Sequence, residues 1–252
     1  MKSLIKFILL TAIRDKLYWG LLVMLGGVFG LSSLISYSAI SEEAQMHIVY
    51  FAFLSRLVIV CGITLFICFY INKSFENKEV DFILTKPISR NSFVMSYWFA
   101  FTIITLFLLV PVAIMLSFYL KSGSAIGLLW WIISVVLELM LVSTFAITAS
   151  LVLKSAVVSV LAVLSFYFIS RMMGFFVYSI GITNIANNML SMKALLKVLS
   201  SLFPRLDLFG KTEWLVYGIS NIGDVYIILL QSLIYISLML FVAFHDFNKK
   251  QF

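Results

Sequence analysis

Charge is what this chain has least of. Only 12% of its 252 residues are charged and 63% are hydrophobic, and the mean hydropathy is +1.11. A soluble domain is about a quarter charged and nearer half apolar. So little charge excludes a soluble fold and points to a polytopic membrane protein. The scarce residues exclude chemistry as well. Cys61 and Cys68 lie on one face of an apolar stretch and form neither a zinc pattern nor a disulfide framework. They read as small packing residues. The two histidines, His47 and His245, are far apart, and neither H-E-x-x-H nor G-x-S-x-G occurs. An intramembrane metal or Ser-His enzyme therefore has no materials. Gly210-Lys211-Thr212 has the ending of a P-loop, but Arg205 stands where the first glycine belongs. No ATPase site, cofactor site or metal site is expected in the chain itself.

What is present is a series of long apolar runs. A membrane span needs about 20 apolar residues. Six such runs are predicted: Leu17 to Tyr37, Ile48 to Ile71, Phe93 to Tyr119, Ile126 to Leu153, Ala156 to Tyr178, and Val225 to Phe244. Gly20, Gly26, Gly27 and Gly30 give the first span a surface for close helix contact, and Pro111 predicts a kink in the third. The expected architecture is all-α, one transmembrane domain over residues 1–252. It has an N-terminal interfacial helix (1–16), a polar loop (72–91) and a long segment between the last two spans (179–223). In the N-terminal helix Leu4, Ile5, Ile8 and Leu9 are expected to face lipid and Lys2 and Lys6 to face water. Leu190 to Leu202 suggests an amphipathic helix within the long segment.

The loop at 72–91 holds the densest charge between apolar blocks, so it cannot lie in hydrocarbon. Phe75, Val80, Ile83 and Leu84 recur at roughly helical spacing among Glu76, Lys78, Glu79 and Asp81. That pattern predicts a short amphipathic helix over Phe75 to Leu84, stopped by Pro87, with Ser89 or Asn91 capping the next helix. Orientation follows from the basic residues. Lys2, Lys6, Arg14, Lys16, Lys73, Lys78, Lys86, Arg90, Lys154, Lys249 and Lys250 share one side, against Lys121, Lys193, Lys197, Arg205 and Lys211 on the other. Positive residues stay in the cytoplasm. Both termini and the charged loop are expected there. The formal net charge of +7 thus orients the chain and meets anionic lipid headgroups; it does not argue for nucleic acid.

The stretch Leu84-Thr85-Lys86-Pro87-Ile88-Ser89-Arg90, ahead of a long hydrophobic helix, resembles the first cytoplasmic loop of ABC-2 type transporter permeases. Pro204-Arg205-Leu206-Asp207-Leu208-Phe209 is similar to the Pro-x-Leu-Asp-x-Phe stretch many of them carry before their last span. The Gly-Thr pair common in the family near Lys78-Glu79 is absent, so the subfamily stays open. The resemblance implies the membrane-spanning subunit of an ATP-driven exporter in a prokaryotic plasma (inner) membrane. It implies two copies of a separate ATP-binding subunit, which carry ATP and magnesium, and a second permease subunit, as in a homodimer. It also implies that the loop is a coupling helix. Phe75, Phe82, Ile83 and Leu84 would form its apolar ridge, Glu76, Glu79, Asp81 and Arg90 would set its orientation, and Pro87 would end it. Spans two and five would line the path, offering Ser55, Thr64 and Tyr70, and Ser159, Ser165, Tyr167 and Ser170.

Three ionisable residues fall inside spans: Glu138, Arg56 and Arg171. Each is a candidate intramembrane polar site. Glu138 either relays a proton or cation, as an ion-coupled secondary transporter or channel would require, or pairs with a neighbour inside the bundle. Arg56 and Arg171 lie nearer span ends and are expected to snorkel.

Overall fold

The fold is described from a computed structural model, over residues 2–14, 16–38, 43–80, 89–119, 125–153, 155–182, 203–219 and 222–249. Among these residues the structure is helical throughout, with no strand. The helices are α1 (Lys2–Arg14), α2 (Lys16–Ser36), α3 (Glu43–Glu76), α4 (Arg90–Tyr119), α5 (Ala125–Val152) and α6 (Ala156–Ile182). A 3-10 turn (Leu206–Leu208), α7 (Glu213–Tyr217) and α8 (Ile222–Lys249) complete them. Six of these, α2 to α6 and α8, are long and apolar enough to cross a membrane. The chain is a multi-pass membrane protein. Hydrocarbon offers backbone groups no water, so each span must satisfy its own N–H and C=O groups as a helix.

The apolar pattern decides which helices are central. α3 and α5 carry the most continuous buried residues, and α5 packs on α3, α4, α6, α7 and α8. α2 and α8 are peripheral, with long exposed apolar faces. Hydroxyls inside the bundle are spent locally. Thr102 and Thr105 each donate to a carbonyl three or four residues earlier, which satisfies a polar group without a partner helix; Thr148 does the same and also reaches the Met239 carbonyl of α8 at 3.3 Å. α4 runs unbroken through Pro111.

Three expectations change. α3 is 34 residues, about 50 Å at 1.5 Å per residue, and it continues through Phe75 and Glu76. These two residues therefore end a membrane helix rather than begin an amphipathic one. The helix breaks at Asn77 and Lys78, where Lys78 has a φ of 55° and its N–H donates to the Phe75 carbonyl at 3.1 Å. In α1, Leu4, Ile8 and Ala12 are buried against protein, with α4 as the main partner. The outward apolar residues are Phe7, Leu10 and Ile13, so the expected lipid face is the packing face. Finally, no side chain or backbone atom lies within 4 Å of a Cβ built on Gly20, Gly26, Gly27 or Gly30. The α2 glycines serve no close helix contact within the described residues of the chain. The expected helix over Leu190 to Leu202 lies outside the described residues.

Capping follows local chemistry. Ser89 Oγ accepts the Ser92 N–H at 3.3 Å, so of the two expected caps Ser89 is the one used, and α4 starts at Arg90. Gly218, with a φ of 78°, ends α7 and returns its N–H to the Trp214 carbonyl at 3.2 Å, the left-handed stop that glycine favours. A Cβ on Gly127 of α5 would run into that same Trp214 carbonyl oxygen. Gly127→Ala should therefore lower the chain's stability by about 1–3 kcal/mol through overpacking. Gly26→Ala, with open space around it, should leave the melting temperature in detergent unchanged or higher.

Candidate functional site

The three intramembrane charges come together. Glu138, from the middle of α5, is 0% exposed. Arg56 of α3 places Nη1 3.8 Å from Glu138 Oε2, and Arg171 of α6 places Nη1 3.6 Å from Oε1. Tyr167, one turn before Arg171, donates its hydroxyl to Glu138 Oε1 at 3.1 Å. Arg56 also lies over the Phe53 ring, 5.9 Å from its centre, a cation–π contact. Arg56 is 3% exposed and Arg171 26%. Where snorkelling was expected, both guanidiniums turn to an opposite charge inside the bundle.

Two guanidiniums and one carboxylate leave one positive charge in excess. An uncompensated charge in low dielectric is expensive, and the backbone of 206–210 supplies the compensation. Arg56 Nη1 donates to the Phe209 carbonyl at 3.2 Å and the Gly210 carbonyl at 2.9 Å. Arg171 Nη1 donates to the carbonyls of Leu206 and Phe209, the latter at 2.9 Å. The Gly210 N–H donates to Ser134 Oγ on α5 at 2.8 Å. Pro204 to Gly210 is thus a strap folded back into the bundle, closed over the ion cluster. Leu206, Leu208 and Phe209 are buried in it. The described part of the 179–223 segment is accordingly no surface loop between 204 and 215.

The strap's sequence fits its course. Gly210 has a φ of 57°, and a Cβ there would meet Arg56 Nη1 and lie 3.4 Å from Glu138 Oε2. Only glycine allows both that conformation and that approach. Asp207 pairs with Arg205 at 2.9 Å and presses on α6 where Gly174 leaves room for its carboxylate. Lys211 pairs with Asp224 at 2.7 Å, fixing the end of the strap to the start of α8.

No family model matches the chain, and no curated protein matches it.

The coupling residues divide. Asp81, Phe82, Ile83, Leu84 and Pro87 lie outside the described residues. Phe75 is half-buried at the end of α3, and Glu76 and Glu79 are exposed on either side of the break. Arg90 holds two helices together. Its Nη1 donates to the Asn248 carbonyl at 2.9 Å and the Phe247 carbonyl at 3.4 Å. A cation there completes the last turn of α8, and Phe93 stacks on Phe247 beside it, 5.2 Å between centres. Of the hydroxyls expected along the path, Ser55 and Ser159 are buried and bonded to backbone, Tyr167 belongs to the ion cluster, and Ser165 is exposed. Thr64 and Ser170 are buried with no partner for their hydroxyl oxygens among the described residues. Tyr70 lines a cleft at the base of α3. Sequence reading missed His47 as a packing centre. Its Nε2 lies 3.2 and 3.1 Å from the Ser32 and Ser33 hydroxyls, and its ring stacks on Tyr119 at 4.1 Å. Ser32-Ser33 near the end of one span and His47 near the start of the next were the available signal. Among the described residues no group of His, Cys, Asp and Glu could hold a metal.

Removing one member of a buried ion cluster typically costs about 3–5 kcal/mol, because the partner charge is left uncompensated. Glu138→Ala should show a loss of this size in thermal unfolding. The loss in a Glu138→Ala/Arg56→Met double variant should be smaller than the sum of the two single losses. The strap should loosen as well. In a background with Cys61 and Cys68 replaced by serine, Leu208→Cys should react slowly with an impermeant maleimide. Adding Glu138→Ala should speed that reaction, and an unchanged rate would show that the strap is held by something else.

Proposed function

We propose that this chain is the membrane-spanning subunit of an ATP-driven ABC-2 type exporter, acting with two ATP-binding subunits and a second permease subunit. The observation that carries this reading is the match at Leu84 to Arg90, placed between the second and third of six spans. The strap adds support: it is the second stretch that resembles the family. In this reading both termini and the 72–91 loop face the cytoplasm of a prokaryotic cell, in agreement with the basic-residue count. ATP-driven closure of the partner subunits pushes on the element after Glu76. α3 carries that push inward as one continuous helix: Arg56 lies about 30 Å up the helix from Glu76 at 1.5 Å per residue. A displacement at the base then reaches the ion cluster and, through its carbonyl contacts, the strap. Alternating access follows if the cluster has two arrangements that ATP binding biases differently.

The second reading, an ion-coupled carrier or channel working through Glu138, has a charged residue in its favour and its surroundings against it. A transport site must release its partner in each cycle. Glu138 is fully buried, and its neighbours Arg56 and Arg171 are themselves bonded to the strap. That is the arrangement of a structural lock.

Three outcomes are expected. Lys78→Cys should react with an impermeant reagent only after permeabilisation, whereas Ser191→Cys should react in intact cells. The purified chain should hydrolyse no ATP, and its complex with an ATP-binding subunit should. Phe82→Ala should weaken that complex by about 2 kcal/mol, as loss of an interface anchor does. Transport with no ATP-binding partner, or partner binding unchanged after replacing residues 75–90 by a neutral linker, would refute the exporter reading.

A further inference from the structure

A cleft of about 620 Å³ opens at the base of α3, between α1, α3 and the start of α6. Its size is that of a small-molecule site, about 300–1,000 Å³. Its lining is graded along the axis of α3. Phe66 and Phe69 stand at one end of it and Lys73, Glu76 and Glu79 at the other, and Phe7 of α1 adds a third aromatic ring to the lining. Phe66 and Glu76 are about 15 Å apart along the helix at 1.5 Å per residue. Phe7 and Phe69 are large and exposed, 54% and 46%, although they border a charged mouth. Glu79 is steered by two weak bonds, from Ser74 Oγ at 3.3 Å and from Asn77 Nδ2 at 3.4 Å.

The occupant of such a cleft must be amphipathic, with an apolar part against the phenylalanines. Its polar part must carry both signs of charge, because the mouth holds a lysine and two carboxylates. We propose that the cleft binds a zwitterionic aminophospholipid of the ethanolamine type. The phosphate lies at Lys73. The primary ammonium, which can donate three hydrogen bonds, lies between Glu76 and Glu79. The first part of an acyl chain runs along Phe7, Phe66 and Phe69. A helix that passes from hydrocarbon into the interface presents these groups at the depths a phospholipid presents its own. Two carboxylates against one lysine disfavour an anionic headgroup. A quaternary ammonium has no N–H to donate to them.

The inference does not depend on the exporter reading, and its test uses the full chain with no ATPase present. The detergent-purified protein is mixed with equal amounts of palmitoyl-oleoyl phosphatidylethanolamine, phosphatidylcholine and phosphatidylglycerol, and retained lipid is read by native mass spectrometry. The ethanolamine lipid should be retained about fivefold over each of the others, the selectivity that two exposed charge contacts supply. Glu76→Gln/Glu79→Gln should abolish the preference over phosphatidylglycerol. Lys73→Gln should weaken retention of all three lipids, and Phe69→Ala should do the same. Unchanged helical circular dichroism and elution volume are checked for each variant. Equal retention of the three lipids by the unaltered chain would mean ordinary annular lipid and would overturn the proposal, a measurement that needs no variant. A preference that survives the double substitution would overturn it too.

Discussion

Everything in the centre of this protein depends on one buried carboxylate. Glu138 lies in the middle of α5, the helix that touches most of the others, with no exposed surface. A lone carboxylate there would be prohibitive, so α3 and α6 each bring an arginine within 4 Å. That solution overshoots by one positive charge. The excess is met by carbonyl dipoles of the strap, a segment that also buries Leu206, Leu208 and Phe209 in the bundle. Compensation of charge at one point thus ties together three spans and the connection before the last span.

A cluster of this kind is a constraint before it is a source of stability. Well-packed apolar side chains of the same volume would often hold helices together equally well. What the ion cluster adds is geometry. Arg56 and Arg171 both reach the Phe209 carbonyl, so α3 and α6 are registered against each other through the strap. Gly210 is the point where this registration leaves no space for a side chain.

The spans were legible because hydrocarbon imposes a simple rule: about 20 apolar residues, internally bonded. All six appear where apolar length places them. The charged residues inside the spans were equally visible, and so was the possibility that Glu138 pairs inside the bundle. The identity of its partners was not visible. Arg56 and Arg171 lie 82 and 33 residues away along the chain, and no periodicity connects them. Their apparent nearness to span ends suggested snorkelling, whereas both pair with Glu138. The strap was concealed for a related reason. Its fit rests on backbone carbonyls, which every residue has and no sequence pattern displays. The error at Phe75 has a different origin: an apolar residue at helical spacing reads alike whether it begins an amphipathic helix or ends a longer one. The break at Asn77-Lys78 is a left-handed lysine, where glycine would have given it away.

The two ends of α3 are chemically unlike, and that difference bears on what the helix can do. Its first half packs as a structural column, with His47 wedged against Tyr119 and Arg56 locked to Glu138. Its last turns carry exposed Lys73 and Glu76 around an open cleft. Stability in proteins is uneven, and sites that bind or move are drawn from the less buried elements. One face of those last turns is nevertheless packed, with Ile67, Cys68, Ile71, Asn72 and Ser74 buried, so the helix is held along its length as well as at the ion cluster. Motion at Arg56 itself requires the carboxylate, both arginines and the strap to rearrange together, because any one moving alone would leave a buried charge or carbonyl unmet. Displacement of this helix at Arg56 is therefore coupled to the strap.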